Sequence, residues 1–238
     1  RGAAGLADEG AEEEAALTAV QRSRYTTFAP EDLPKAREGL LRHLGSSDPD
    51  LATQAQFSAA SVLGIGWVAT ALETTPIDQG EVALTSNALD RLPTERLIRG
   101  VGYAIHNRVG VSTVEEMRSL AVALDRRVRE SELSAVRAAA IEALGWIATP
   151  FVPPSLDFAV AAIAWAWSDE SRLDGAHPDS RLREGSATLG SALSMLERPS
   201  MAAEARAAIE QAMLANTDSA RARFWGSVDR MLAGRARS

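Results

Sequence analysis

Residues 142–148 read Glu142-Ala143-Leu144-Gly145-Trp146-Ile147-Ala148, and two earlier segments have the same arrangement of small, glycine and aromatic residues. They are Leu63-Gly64-Ile65-Gly66-Trp67-Val68-Ala69 and Arg99-Gly100-Val101-Gly102-Tyr103-Ala104-Ile105. Weaker copies surround Gly190 and Gly226. The spacings between the aligned glycines, Gly66, Gly102, Gly145, Gly190 and Gly226, are 36, 43, 45 and 36 residues. Internal repetition at such a period predicts a stack of similar structural units.

A second repeated segment lies outside the first. Ala88-Leu89-Asp90-Arg91 recurs unchanged as Ala123-Leu124-Asp125-Arg126, 35 residues later. Each copy lies between two glycine-bearing segments, so the repeating unit contains two structural elements.

Apolar residues recur at helical spacing almost throughout the chain, and short turns rich in Pro, Gly, Asp and Ser separate the periodic segments. Ala and Leu dominate the apolar residues and aromatic residues make up only 5%, which favours close-packed helices over sheets. We therefore predict an all-α protein. Its eleven predicted helices span 8–24, 31–44, 51–73, 78–92, 93–108, 112–129, 131–148, 155–167, 180–197, 200–215 and 218–232.

Polar residues mark the starts of the later helices. Ser112 with Glu115 three residues on predicts a capping box, and each of the last five helices opens with a Ser or Asp that can accept a first-turn N–H. The aligned glycines lie inside predicted helices, where each costs about 0.5–1 kcal/mol relative to Ala. We therefore expect them to mark points where a neighbouring helix crosses closely.

This pattern resembles the HEAT-like repeat family. The resemblance implies an α-solenoid of about five antiparallel helix pairs, a superhelix in which each pair packs on its neighbours. We predict one solenoid domain over 1–238, with an acidic segment or helix at 1–30, a capping helix and linker at 31–50, and repeats at 51–234.

Composition argues against several classes of function. The 25 basic and 32 acidic residues give a net charge of -7, which disfavours nucleic acid as a partner. The chain has no cysteine, and its three histidines, His43, His106 and His177, are too far apart in sequence for a metal motif. The sequence patterns of a nucleophile elbow and of a phosphate-binding loop are absent. The Gly-x-Gly segments at 64–66 and 100–102 fall within predicted helices, where their amides would already be bonded. We predict no catalytic residue, no cofactor, no metal, no membrane span and a cytoplasmic location.

Several residues are candidates for partner binding. Trp165 and Trp167 lie on opposite sides of a helix that is apolar nearly all round, so either both are buried or one faces a partner. Asp90, Arg91, Asp125 and Arg126 form either a ladder of ion pairs between adjacent helices or ordinary surface charge. The aligned Trp67, Tyr103 and Trp146 are typical of core packing, although a stacking platform is the alternative. The connection at 169–179 is either a plain loop or an acidic binding loop.

The leading hypothesis is a non-enzymatic scaffold that binds a protein or peptide along the concave face made by the second helix of each pair. The alternative is an enzyme or nucleic-acid-binding protein on the same scaffold, because HEAT-like folds include alkylpurine DNA glycosylases and bilin lyases. That alternative requires arginines to cluster in a groove, and the densest stretch of arginine runs from 96 to 129.

Overall fold

The computed structural model describes residues 33–44, 46–77, 93–106, 113–148, 153–173 and 184–236. The chain divides into two compact units, residues 1–112 and residues 113–238. The helices predicted at 8–24 and 78–92 lie outside the described residues.

Regular structure in the described ranges is entirely helical, which confirms the all-α prediction. The first unit contains α1 (Leu33–His43), α2 (Pro49–Val62), α3 (Ile65–Thr74) and α4 (Pro93–His106). The second unit contains α5 (Val114–Glu130), α6 (Ser134–Ile147), α7 (Pro153–Trp167), α8 (Glu170–Leu173), α9 (Glu184–Leu196), α10 (Ala202–Ala212), a 3-10 turn (Met213–Ala215) and α11 (Asp218–Arg235).

The main contact of the first unit joins α2 and α4. A β-carbon on Gly100 of α4 would overlap the carbonyl oxygen of Phe57 on α2, so only glycine permits this approach. Leu40, Val68 and Ile98 are among the buried side chains of this unit.

The prediction of a single helix over 51–73 is wrong, because the helix is interrupted at Gly64. Gly64 has a φ of 98° and lies between the end of α2 and the start of α3. An L side chain is strained in this conformation, which explains the glycine without any helix crossing. The sequence analysis placed the amide of Gly64 inside a helix, and the structure shows that it lies between two helices.

The helices of the second unit contact one another in chain order. Apart from the short α8, α5 contacts α6 and α7, α6 contacts α7 and α9, α7 contacts α9 and α10, and α9 contacts α10 and α11. Helices that alternate in the chain thus lie side by side. We call α6, α9 and α11 the first row and α5, α7 and α10 the second row.

The most extensive helix contact in this unit joins α6 and α9. A β-carbon on Gly145 would lie 2.5 Å from both the Cα and the Oγ of Ser191 and 2.6 Å from the Oγ of Ser194, so the missing side chain lets α9 approach. The same role does not hold for the last two glycines of the series. A β-carbon on Gly190 would meet only the Cγ of Glu142 at 4.0 Å, and one on Gly226 only its own helix at Arg230.

Arginine side chains donate to carbonyl groups at the C-terminal ends of helices. Arg37 donates to the carbonyl of Val62 at 3.2 Å, and Arg172 donates to that of Trp165 at 2.8 Å. Arg198 donates to the carbonyls of Trp146, at 2.7 Å, and Ala148. Each of these carbonyls lies at the C-terminal end of a helix, where arginine can replace the usual glycine cap.

The predicted N-terminal caps need correction. The capping box of α5 is formed by Thr113 and Glu116, one residue after the predicted pair. Ser155 lies inside the first turn of α7, and its hydroxyl is buried without a partner among the described residues. Met201, not Ser200, precedes α10, and Thr217, not Asp218, caps α11 by accepting from the N–H of Ala220 at 3.2 Å.

Replacing Gly145 with alanine should weaken the α6–α9 contact. Because the added methyl group meets the backbone of Ser191, we expect a loss of about 1–3 kcal/mol in the free energy of unfolding. Gly226→Ala is the matched control, since its methyl group would meet only the flexible side chain of Arg230 at 3.6 Å, and we expect a gain of up to about 1 kcal/mol from helix propensity. Urea denaturation followed by circular dichroism measures both. Equal effects of the two substitutions would contradict the assignment.

Replacing Arg198 with methionine removes the donors to the carbonyls of Trp146 and Ala148. We expect the free energy of unfolding to fall by about 1–3 kcal/mol, because the end of α6 loses partners that a methionine stem cannot replace. Arg230→Met is the control, since Arg230 is exposed and donates only to the hydroxyl of Ser227 in its own helix. Thermal denaturation of both variants tests this role, and an unchanged melting temperature for Arg198→Met would refute it.

Candidate functional site

The helix α7 buries one of its two tryptophans. Trp167 is 6% exposed and donates from its indole N–H to the Oγ1 of Thr188 at 2.9 Å. Its ring also packs edge to face on Phe224, with 5.4 Å between the ring centroids. Because its N–H has a buried acceptor, Trp167 joins α7 to α9 and α11 and is not available to a partner.

Trp165, on the opposite side of α7, is only partly buried. The guanidinium carbon of Arg172 lies 3.8 Å from the centroid of its ring, and that of Arg129 lies 5.3 Å away. Such contacts are typical of cation–π attraction, which is worth about 0.5–1 kcal/mol at exposed sites. The expectation that both tryptophans are buried therefore fails at Trp165, and contact of Trp165 with a partner stays a prediction.

Several apolar side chains of the second row and of the turn after α10 are exposed or partly exposed. Phe158, Ala161 and Trp165 lie on one side of α7 and are each partly exposed. Val122 of α5 is 48% exposed, and Leu214, which follows α10, is 59% exposed. We call these five residues the α7 face. The sequence analysis missed Val122 and Leu214, since an isolated apolar residue in a polar helix surface is an ordinary occurrence.

Two contacts fix how the three helices of the second row align. The end of α5 meets the end of α7 where Arg129 lies over Trp165. The side chain of Asn216, just after α10, donates to the carbonyl of Ala164 at 2.9 Å. The C-terminal ends of the three helices are therefore at one level, and Val122, two turns before Arg129, lies near the level of Phe158.

The charged candidates on α5 pair within their own helix. Asp125 accepts from Arg129 at 3.2 Å, and Arg126 donates to Glu130 at 3.0 Å. These are i to i+4 pairs, worth a few tenths of a kcal/mol each. The other candidates of the ladder, Asp90 and Arg91, lie outside the described residues, so ion pairing between repeats stays a prediction.

A buried ion pair joins the first turns of α6 and α9, next to the end of α5. Glu184, the first residue of α9, is fully buried, and its Oε1 accepts from Arg137 of α6 at 2.6 and 2.8 Å. Arg137 also donates to the carbonyl of Ser131 at 2.8 Å. Burial raises the pKa of the Glu184 carboxyl, while Arg137 and, less strongly, Arg172 oppose the shift. This pair was not a candidate in the sequence analysis, because its partners are 47 residues apart.

The connection at 169–179 begins with structure that the sequence analysis did not predict. Asp169 accepts from the hydroxyl of Ser171 at 2.7 Å and from its N–H at 3.0 Å, which caps α8 and lowers the pKa of Asp169. The remaining residues of the proposed acidic loop, Asp174, Gly175, His177 and Asp179, lie outside the described residues.

The three aligned aromatic residues, Trp67, Tyr103 and Trp146, are each half-buried. Tyr103 lies against Phe57, with 5.3 Å between the ring centroids. The three aligned aromatic side chains are therefore neither fully buried in the core nor fully exposed to a ligand.

The described arginines between 96 and 129 are engaged within the protein. Arg96 and Arg127 are buried, at 3% and 1% exposure. The other four pair with carboxylates of their own helices: Arg99 with Glu95, Arg118 with Glu115, Arg126 with Glu130 and Arg129 with Asp125. This arrangement does not favour a phosphate-binding groove, because such a groove needs guanidinium groups that are available to the ligand.

Over the residues that the structure covers, no group of three His, Asp or Glu side chains is arranged to hold a metal ion. None of the helices in those ranges combines the length and apolar character needed to cross a bilayer.

Comparison with known proteins gives no family: no family model matches the chain, nor does any curated protein or solved structure. The arrangement of its residues is thus the basis for any functional proposal.

Replacing Glu184 with glutamine should change how stability depends on pH. The pKa of the Glu184 carboxyl is raised in the folded protein. The contribution of this carboxyl to stability is therefore fully present at pH values below 4.5, its ordinary pKa, and is lost as pH rises through the raised pKa of the folded protein. We expect the wild type to lose stability relative to Glu184→Gln over that interval. Urea denaturation of both proteins at pH values below and above it measures the difference, and a difference independent of pH would contradict the prediction.

Proposed function

We propose that this protein is a non-enzymatic helical-repeat scaffold that acts in the cytoplasm. In this proposal it binds a protein or peptide through the second row of helices, and the α7 face is the centre of the binding surface. The observation that carries the proposal is the apolar α7 face, on which Phe158, Ala161 and Trp165 are partly exposed while Trp167 on the opposite side of α7 is buried.

The order of helix contacts supports a repeat architecture of the HEAT-like kind. In the second unit, every extensive contact among the described long helices joins helices one or two places apart in the chain. A stack in which each helix pair touches only its neighbours has this contact order, whereas a bundle around one centre also joins distant helices. A solenoid of about five helix pairs is the extension of this contact order that we propose for the chain.

Exposed apolar side chains favour the second row as the binding side. Val122 of α5 is 48% exposed, and Leu214, which follows α10, is 59% exposed. The proposal rests on the helices of this row and does not require the concave curvature expected from the family resemblance.

The side chains of the α7 face suit a protein partner. Tryptophan and arginine are enriched among the residues that dominate binding energy in protein interfaces, and here Trp165 carries Arg129 and Arg172 on its ring. Val122 of α5 and Leu214, which follows α10, are further exposed apolar side chains on the two neighbouring segments. Exposed apolar side chains that lie together mark interaction sites more often than singly scattered ones.

Affinity capture with the full chain tests the proposal. We expect the wild type to retain a polypeptide in stoichiometric amount, and Val122→Glu, which puts a charge on the α7 face, to lose it. Met231→Glu is the matched control, because Met231 is 39% exposed on α11, away from the α7 face. Retention of the same polypeptide by the Val122→Glu protein would refute the surface. Recovery of no polypeptide together with turnover of a small molecule would refute the scaffold.

A further inference from the structure

We draw no further inference here: the strongest candidate, the partly exposed apolar side of α7 around Trp165, has charges of both signs at its C-terminal end, and nothing in the structure shows what covers it.

Discussion

The second unit depends on how closely α6 and α9 approach at Gly145. A side chain at this position would collide with the backbone of Ser191, so the two helices could not keep their present distance. The glycine costs about 0.5–1 kcal/mol of helix stability, which the contact must offset by burying apolar side chains. It does so because α6 is buried along nearly its whole length, including Ile141, Leu144 and Ile147. The first unit has an equivalent constraint, where Gly100 meets the backbone of α2.

Close helix packing leaves a problem at the helix ends, and arginine solves it repeatedly. Carbonyl groups in the last turn have no partner in their own helix, and they lose water when neighbouring helices cover them. Arg172 and Arg198 reach the ends of α7 and α6 and donate two or more hydrogen bonds each. A planar group with five N–H donors suits this task better than the single ammonium of lysine. The sequence has one lysine, Lys35, and from the sequence alone codon bias was the favoured explanation of this.

The properties of α7 connect the packing with the proposed function. It contacts α5, α6, α9 and α10, so three of its sides are covered, and the polar atom of Trp167 is satisfied within the core. The fourth side is still apolar, and only the guanidinium groups of Arg129 and Arg172 partly cover Trp165. An apolar side that the unit itself does not bury is the reason to look for a partner there.

The sequence by itself determined the helical class and most helix positions, because the periodicity of apolar residues acts locally. It could not determine which glycine of a repeat meets a neighbour. Gly145 and Gly226 look alike in sequence, yet Gly145 lies against α9 and Gly226 lies only near the side chain of Arg230 in its own helix. It also failed at Gly64, since a positive φ and a helix interior both permit glycine. Only tertiary structure decided that Trp167 is buried and Trp165 exposed, and that Glu184 meets Arg137. These outcomes depend on contacts between residues that are distant in the chain, and no local pattern records such contacts.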